Sequence, residues 1–137
     1  LRRSLHDLFV ALMAFCFLVL AVCLLWQHNL FLFLLMSMEA AVALRFWHDG
    51  YDVSFFLVIG GLGSLAEALF VRAGAWQYAN PSALGVPLWF PVAFGTAGLM
   101  GGRMARALAA IWQGREVLFF ARDSAQRRPT ILDDRRG

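Results

Sequence analysis

Charged residues are scarce in this sequence, and lysine is absent. Only 15% of the 137 residues are charged, whereas 61% are hydrophobic. Soluble domains carry about 25% charged residues, so this composition excludes an ordinary soluble protein and indicates a membrane protein. The net charge of +3 comes mainly from the chain ends, which gives no indication of nucleic-acid binding.

Cysteine and histidine are also rare, and their placement argues against a metal or haem site. Cys16 and Cys23 lie seven residues apart in one apolar run, about 10 Å along a helix, which is too far for a disulfide. Three histidines stand at the ends of apolar runs, where they cannot face one another inside a bundle: His6, His28 and His48. The sequence therefore predicts neither a metal site nor a haem.

Four apolar runs are each long enough to cross a membrane, which takes about 17–25 residues. The predicted spans cover residues 8–26, 30–47, 53–71 and 86–102. Arg2-Arg3 before the first run also fits a signal peptide, but the run can span, so we predict a retained helix. The chain is predicted to be an all-α polytopic membrane protein whose four transmembrane helices form one domain, residues 1–122. The short turns make the first three helices antiparallel neighbours.

Arginine placement predicts the orientation of these helices. Arg72 lies at one side of the predicted membrane, and every other arginine lies at the opposite side. By the positive-inside rule, both termini are cytoplasmic. An arginine-only basic set with much alanine and glycine is typical of bacteria with GC-rich genomes, which suggests a bacterial inner membrane.

The sequence after the fourth span changes character. Residues 103–122 are predicted to be an amphipathic helical extension on the cytoplasmic side, either lying along the membrane interface or protruding from the membrane. Residues 123–137 are predicted to be a flexible basic tail.

Small residues recur at three- and four-residue spacing on one face of the third and of the fourth predicted helix. Such residues let helix backbones approach closely in lipid. They are Gly60, Gly63 and Ser64 on the third helix and Gly98 and Gly102 on the fourth. We predict packing between these two helices within one chain, with a dimer seam as the alternative.

Two acids inside predicted spans are candidate catalytic residues. Glu39 lies near the middle of the second span and Glu67 in the outer third of the third span. An acid in an apolar layer is costly and is a functional candidate for that reason. It could transfer a proton to or from an alkene or hydroxyl. The alternatives are structural: Glu67 paired with Arg72 or Trp76, and Glu39 paired with Ser37 or backbone.

The segment after the third span supplies candidate ligand-binding residues. Arg72, Trp76, Tyr78 and Trp89 follow Glu67 within one loop and could form a cap or an aromatic cage. The alternative is that Arg72 reaches outer headgroups and that the aromatic residues belong to an interfacial belt.

An acid followed by this pattern of glycine, aromatic residues and proline resembles the half-domain of heterodimeric lycopene cyclases and related carotenoid-modifying proteins. The matching residues are Glu67, Gly74, Trp76, Tyr78, Pro81, Gly85 and Pro87. With Pro87-Leu88-Trp89, the segment is also similar to small four-helix bacterial inner-membrane proteins of unassigned activity. The cyclase pattern implies further acids after the second proline, whereas residues 88–100 contain none.

Two functions are favoured on the sequence, ahead of a small transporter, which would need a dimer to form a path. The first is a non-enzymatic accessory or assembly subunit of a larger membrane complex or homo-oligomer, which packs through its small-residue faces and binds lipid or pigment. The second is a membrane enzyme or binder that acts on an isoprenoid or carotenoid-like lipid, with Glu67 and Glu39 transferring protons. Membrane lipids are predicted partners in both cases.

Overall fold

A computed structural model describes residues 2–47 and 49–126, with side chains described through Gly114. Four α-helices make up the fold: α1 (Arg2–Leu25), α2 (Asn29–Phe46), α3 (Gly50–Arg72) and α4 (Phe90–Gln126). An isolated bridge between Ala83 and Val86 is the only β-type pairing in the described ranges. The predicted all-α fold class is therefore confirmed for this part of the chain.

Three of the four helices, α1, α2 and α3, are long and apolar enough to cross a membrane. The fourth helix, α4, does not reach that level, so the prediction of four spans is corrected to three. The reason lies in its composition: only thirteen residues separate its start from Arg103, and four of them are glycine. Glycine contributes little apolar surface, and Arg103 and Arg106 follow immediately.

The boundaries of α3 follow from local chemistry. At its start, the Asp49 side chain accepts a hydrogen bond from the backbone N–H of Tyr51, as expected for an N-cap. At its end, Gly74 takes a left-handed φ of 78°, which side-chain-bearing residues rarely adopt. The chain leaves the helix at this point and forms the loop of residues 73–89.

The helix that is least apolar lies at the centre of the bundle. α4 packs against α1, α2 and α3, whereas α2 and α3 share no substantial contact although only three residues join them. The buried side chains of α4 include Thr96, Leu99 and Met100, which are inaccessible to solvent. The predicted side-by-side pairing of the second and third helices is therefore wrong, because α4 takes the place of α2 beside α3.

Glycines bring α3 and α4 together. A Cβ atom at Gly95 would lie 2.7 Å from the carbonyl oxygen of Phe56, and one at Gly60 would lie 2.9 Å from the carbonyl oxygen of Pro91. The backbones of α3 and α4 could not approach each other this closely if Gly60 or Gly95 carried a side chain. The glycines therefore fix the register of two antiparallel helices.

Other predicted packing residues also lie along this contact. A Cβ atom at Gly63 would overlap the ring of Phe94. A Cβ atom at Gly98 would lie 2.5 Å from the Ile59 side chain. A Cβ atom at Gly102 would lie 3.2 Å from the Phe55 ring. The Ser64 hydroxyl donates a hydrogen bond to the Gly60 carbonyl within α3.

The C-terminal half of α4 continues the helix without interruption through residues 103–126. The helix thus includes residues 123–126, the first four of the predicted tail. The remainder of that prediction, residues 127–137, lies outside the described residues.

Candidate functional site

The two ends of the bundle differ in chemistry and are named here by their residues. The loop end contains residues 73–89 together with the α1–α2 turn. The Asp52 end contains the start of α1, the end of α2, the start of α3 and Arg103 of α4. Between them, an apolar groove runs along α1 and α2.

At the loop end, Glu67 is held by the aromatic residues that follow it in sequence. The Trp76 indole N–H donates to Glu67 Oε1 at 2.6 Å, and the Tyr78 hydroxyl donates to the same oxygen. Burial of the phenol, followed by its hydrogen bond to the Glu67 carboxylate and the charge there, raises the pKa of Tyr78 above its ordinary value. Glu67 therefore acts as an acceptor that orders the loop.

The other two loop-end candidates make no polar contact with Glu67. Arg72 is exposed, and no ion pair joins it to Glu67. Trp89 is buried beside Phe90, and its indole N–H has no partner among the described residues. Trp89 lines a cavity of about 280 Å³ with Trp26 and Tyr78. The aromatic residues therefore come together, whereas Arg72 stays apart.

A pair of asparagines, which we did not single out from the sequence, closes the loop end. The Asn29 amide donates to the Asn80 carbonyl and to the Ser82 hydroxyl, each at 2.9 Å. In return, the Asn80 amide donates to the Gln27 carbonyl at 2.9 Å. These bonds join the α1–α2 turn to the loop between α3 and α4, and no short-range pattern in the sequence signals them.

At the Asp52 end, a buried carboxylate binds two arginines. Asp52 is fully buried, and Arg103 Nε donates to its two carboxylate oxygens at 2.9 and 3.0 Å. A second nitrogen of Arg103 and one of Arg106 also donate to this carboxylate. The Arg103 guanidinium lies 5.4 Å from the Trp47 ring centroid, and that of Arg106 lies 5.8 Å from the Tyr51 ring. Asp52 lies between the second and third predicted spans, residues 30–47 and 53–71, and nothing in the sequence around it signals this cluster.

Glu39 lies in the groove between α1 and α2, away from Glu67. The groove encloses about 330 Å³, and Glu39 is the only ionisable residue among those that line it. The lining residues are Val10, Ala14, Phe17, Leu35, Met38, Glu39, Val42, Ala43, Phe46, Trp47 and Met100. Both carboxyl oxygens of Glu39 are buried without a hydrogen-bond partner in the described part of the chain. Neither predicted partner, Ser37 nor backbone, bonds to it.

The groove adjoins a polar cavity at the Asp52 end. The polar cavity measures about 480 Å³ and shares Phe46 and Trp47 with the groove. It is lined by Arg3, His6, Asp7, Phe46, Trp47, Asp49 and Arg103. The Trp47 indole N–H, at the junction of the two spaces, is buried and also has no partner. An elongated molecule that is apolar along its length and polar at one end fits this pair of spaces.

No group of three or more metal-ligating side chains occurs within residues 2–47 and 49–114, whose side chains the structure describes. No family model, no curated protein and no solved structure matches this chain. The resemblance of residues 67–91 to cyclase half-domains therefore stays a prediction, and the function has to be argued from the geometry.

Proposed function

We propose that this protein is a bacterial inner-membrane protein that binds one amphiphilic lipid, with the lipid chain in the α1–α2 groove and its polar end in the cavity at the Asp52 end. The observation that carries the proposal is the adjoining of an apolar groove and a charged cavity at Phe46 and Trp47. A lipid has the same division along its length. The proposal puts the Asp52 end, with Arg3, Arg103 and Arg106, at the cytoplasmic side, in line with the positive-inside rule.

The outward faces of the three apolar helices support membrane insertion. Leu24 of α1, Val42 of α2 and Leu57 and Leu62 of α3 are each at least 63% exposed. Large apolar side chains at this exposure are unfavourable in water over such an area and favourable in lipid. The groove opens on this same surface, so a lipid chain would enter it from the bilayer.

Binding is better supported than proton-transfer catalysis. One oxygen of Glu67 accepts two hydrogen bonds, and Glu67 lies at the loop end, away from the groove. No second ionisable group lines the groove beside Glu39. A proton relay requires a donor and an acceptor that both reach the reacting atoms. The two acids of the predicted catalytic pair are instead separated, each in its own surroundings.

The small-residue faces, one of several features that suggested an accessory subunit, do not favour that hypothesis. The glycines of these faces meet side chains or backbone of the same chain, as Gly60 does at Pro91 and Gly98 at Ile59. A role within a complex would have to use other surfaces.

The test is lipid retention by the purified full chain. After exchange into a delipidating detergent, native mass spectrometry should show one retained lipid per chain, in the absence of any partner protein. Ala14→Trp, which fills the groove, should lower retention at least fivefold. Leu62→Trp adds the same ring to the exposed face of α3 and should leave retention unchanged. A wild-type chain without lipid, or equal retention by Ala14→Trp, would overturn the proposal.

A further inference from the structure

The polar cavity carries charged groups of both signs, and its carboxylates are not paired with its arginines. Arg3 and Asp7 of α1 line it together with Asp49, which precedes α3, and Arg103 of α4. Arg3 and Asp7 are four residues apart on one helix, a spacing that favours an ion pair. Within the described residues, neither Arg3 nor Asp49 forms an ion pair, and Asp7 contacts His6 alone, at 3.8 Å. Two positive and two negative groups therefore face one space.

The polar atoms of these groups are accessible. Arg103 uses Nε and Nη2 to bind Asp52, whereas its Nη1 makes no hydrogen bond in the described part of the chain. Neither that nitrogen nor the oxygens of Asp7 belong to the polar atoms that are shielded from solvent. One oxygen of Asp49 caps α3, and its other oxygen has no partner among these residues. A molecule in the cavity can therefore contact donors and acceptors directly.

The arginine cluster beside the cavity keeps a positive charge. Asp52 is one carboxylate shared by Arg103 and Arg106, so it neutralises only one of the two guanidinium groups. Arg103 is the arginine of this cluster that lines the cavity. Arginine suits phosphate because its planar guanidinium presents several N–H donors. Arg103 Nη1 and the exposed Arg3 therefore offer a phosphate two charged donors.

Given the proposed function, on which this step rests, we infer that the polar end of the lipid is a phosphate joined to a primary ammonium. Arg3 and Arg103 bind the phosphate, and Asp7 and Asp49 bind the ammonium. A headgroup with only a negative charge would place that charge near two carboxylates, and like charges repel. A hydroxyl headgroup can donate a hydrogen bond to a carboxylate but brings it no counter-charge. A quaternary ammonium brings the charge but has no N–H to donate.

The headgroup can be tested with three phospholipids that have identical acyl chains. Phosphatidylethanolamine, phosphatidylglycerol and phosphatidylcholine would compete in equal amounts for the delipidated full chain in detergent, with the bound ratio measured by native mass spectrometry. Glycerol removes the cation, and choline keeps the cation without its N–H donors. The wild-type protein should favour phosphatidylethanolamine over each of the others by about five- to tenfold, the order expected for one hydrogen bond.

Substitutions in the cavity separate the two charges of the headgroup. Asp7→Asn combined with Asp49→Asn should abolish the preference over phosphatidylglycerol, while asparagine still caps α3. Glu67→Gln removes a carboxylate at the loop end, outside the cavity, and should keep the wild-type ratio. Arg3→Gln should lower the retention of all three lipids about threefold, because all three carry the phosphate. Arg45→Gln is its control, since Arg45 is exposed near the end of α2 but does not line the cavity.

Three outcomes would each overturn the inference while the proposed function stands, provided that Ala14→Trp still lowers lipid retention. They are equal binding of the three lipids to the wild-type protein, an unchanged preference in the double variant, and unchanged retention in Arg3→Gln. Binding of phosphatidylglycerol by the double variant shows that this variant is folded.

Two other outcomes would overturn the proposed function and the inference with it. One is a wild-type chain that retains no lipid, and the other is equal retention by Ala14→Trp. Soluble phosphoethanolamine, which has the headgroup without acyl chains, should leave the bound lipid in place. Its displacement of the lipid would assign the cavity to a free metabolite and would overturn the inference that the ligand is a lipid.

Discussion

Helix α3 carries one acid near each end, and the two acids are satisfied in opposite ways. Glu67 accepts hydrogen bonds from Trp76 and Tyr78, which follow it by nine and eleven residues. Asp52 binds Arg103 and Arg106, which lie 51 and 54 residues further on in the chain. The first acid orders the loop that directly follows its own helix. The second fastens α3 to the distant helix α4.

This difference explains what could be read from the sequence. The contact between Glu67 and Trp76 was open to prediction because both residues belong to one short motif. The Asp52 cluster needs the register of α3 against α4. Asp52 lies eight residues before Gly60, and Arg103 lies eight residues after Gly95. Since Gly60 and Gly95 meet at the crossing, antiparallel helices bring Asp52 opposite Arg103. The contact between Asp52 and Arg103 can therefore be predicted from the sequence only when it is known that Gly60 packs against Gly95.

Of the substitutions that test the difference between the two acids, removal of Asp52 should lower the free energy of unfolding the most. In Asp52→Ala, Arg103 and Arg106 lose their common carboxylate, and Arg103 is only 18% exposed. Removing one partner of a buried ion pair costs about 3–5 kcal/mol. Because the arginines are partly exposed, we expect a loss at the lower end of this range, about 3 kcal/mol. The free energy of unfolding in mixed micelles would measure it. Asp49→Ala is the matched control, because Asp49 is exposed and only caps α3, so it should cost about 1 kcal/mol. Equal losses in the two variants would contradict the assignment.

The register of α3 against α4 can be tested at one glycine. Gly95→Ala places a Cβ atom 2.7 Å from the Phe56 carbonyl oxygen and should destabilise the bundle by about 1–3 kcal/mol. Gly61→Ala meets nothing within 4 Å and should be neutral or stabilising by up to about 1 kcal/mol, because alanine favours a helix. Thermal unfolding of the pair in one detergent would compare them. Similar melting temperatures would show that the α3–α4 contact is looser than described.

The smallest effect is expected at the loop end and depends on pH. Tyr78→Phe removes one hydrogen bond to Glu67 and should cost about 1 kcal/mol near neutral pH. Because folding raises the pKa of Tyr78, the unfolded phenol ionises near pH 10 while the folded one keeps its proton. Wild-type stability should therefore fall as the pH rises above about 10, and Tyr78→Phe should flatten this fall.

Trp76→Phe is the control for the pH measurement, since it removes the other bond to Glu67 and leaves the phenol in place. It should lower stability but keep the alkaline slope, as followed by the free energy of unfolding between pH 8 and 11. The same slope in Tyr78→Phe would assign the titration to another group.

Other features could be predicted only in part, for physical reasons. Hydrophobic runs predicted three membrane-length helices correctly, since length and apolarity are local properties. The same rule failed for the fourth, because a helix that is surrounded by protein does not need a fully apolar surface. Glu39 stood out as an acid in an apolar run. Its location between α1 and α2 depends on α4 separating α2 from α3, which no local pattern records.

The central position of α4 has a consequence for biosynthesis. The chain is made from its N-terminus, so the three apolar helices are synthesised before the helix that packs against all of them. Each of the three can enter a bilayer on its own hydrophobicity, but α3 obtains its main neighbour only when α4 is complete. Until then Asp52 has no arginine beside it. Assembly of this bundle is therefore completed by α4, and a ribosome that stops before Phe90 would leave three helices without a common centre.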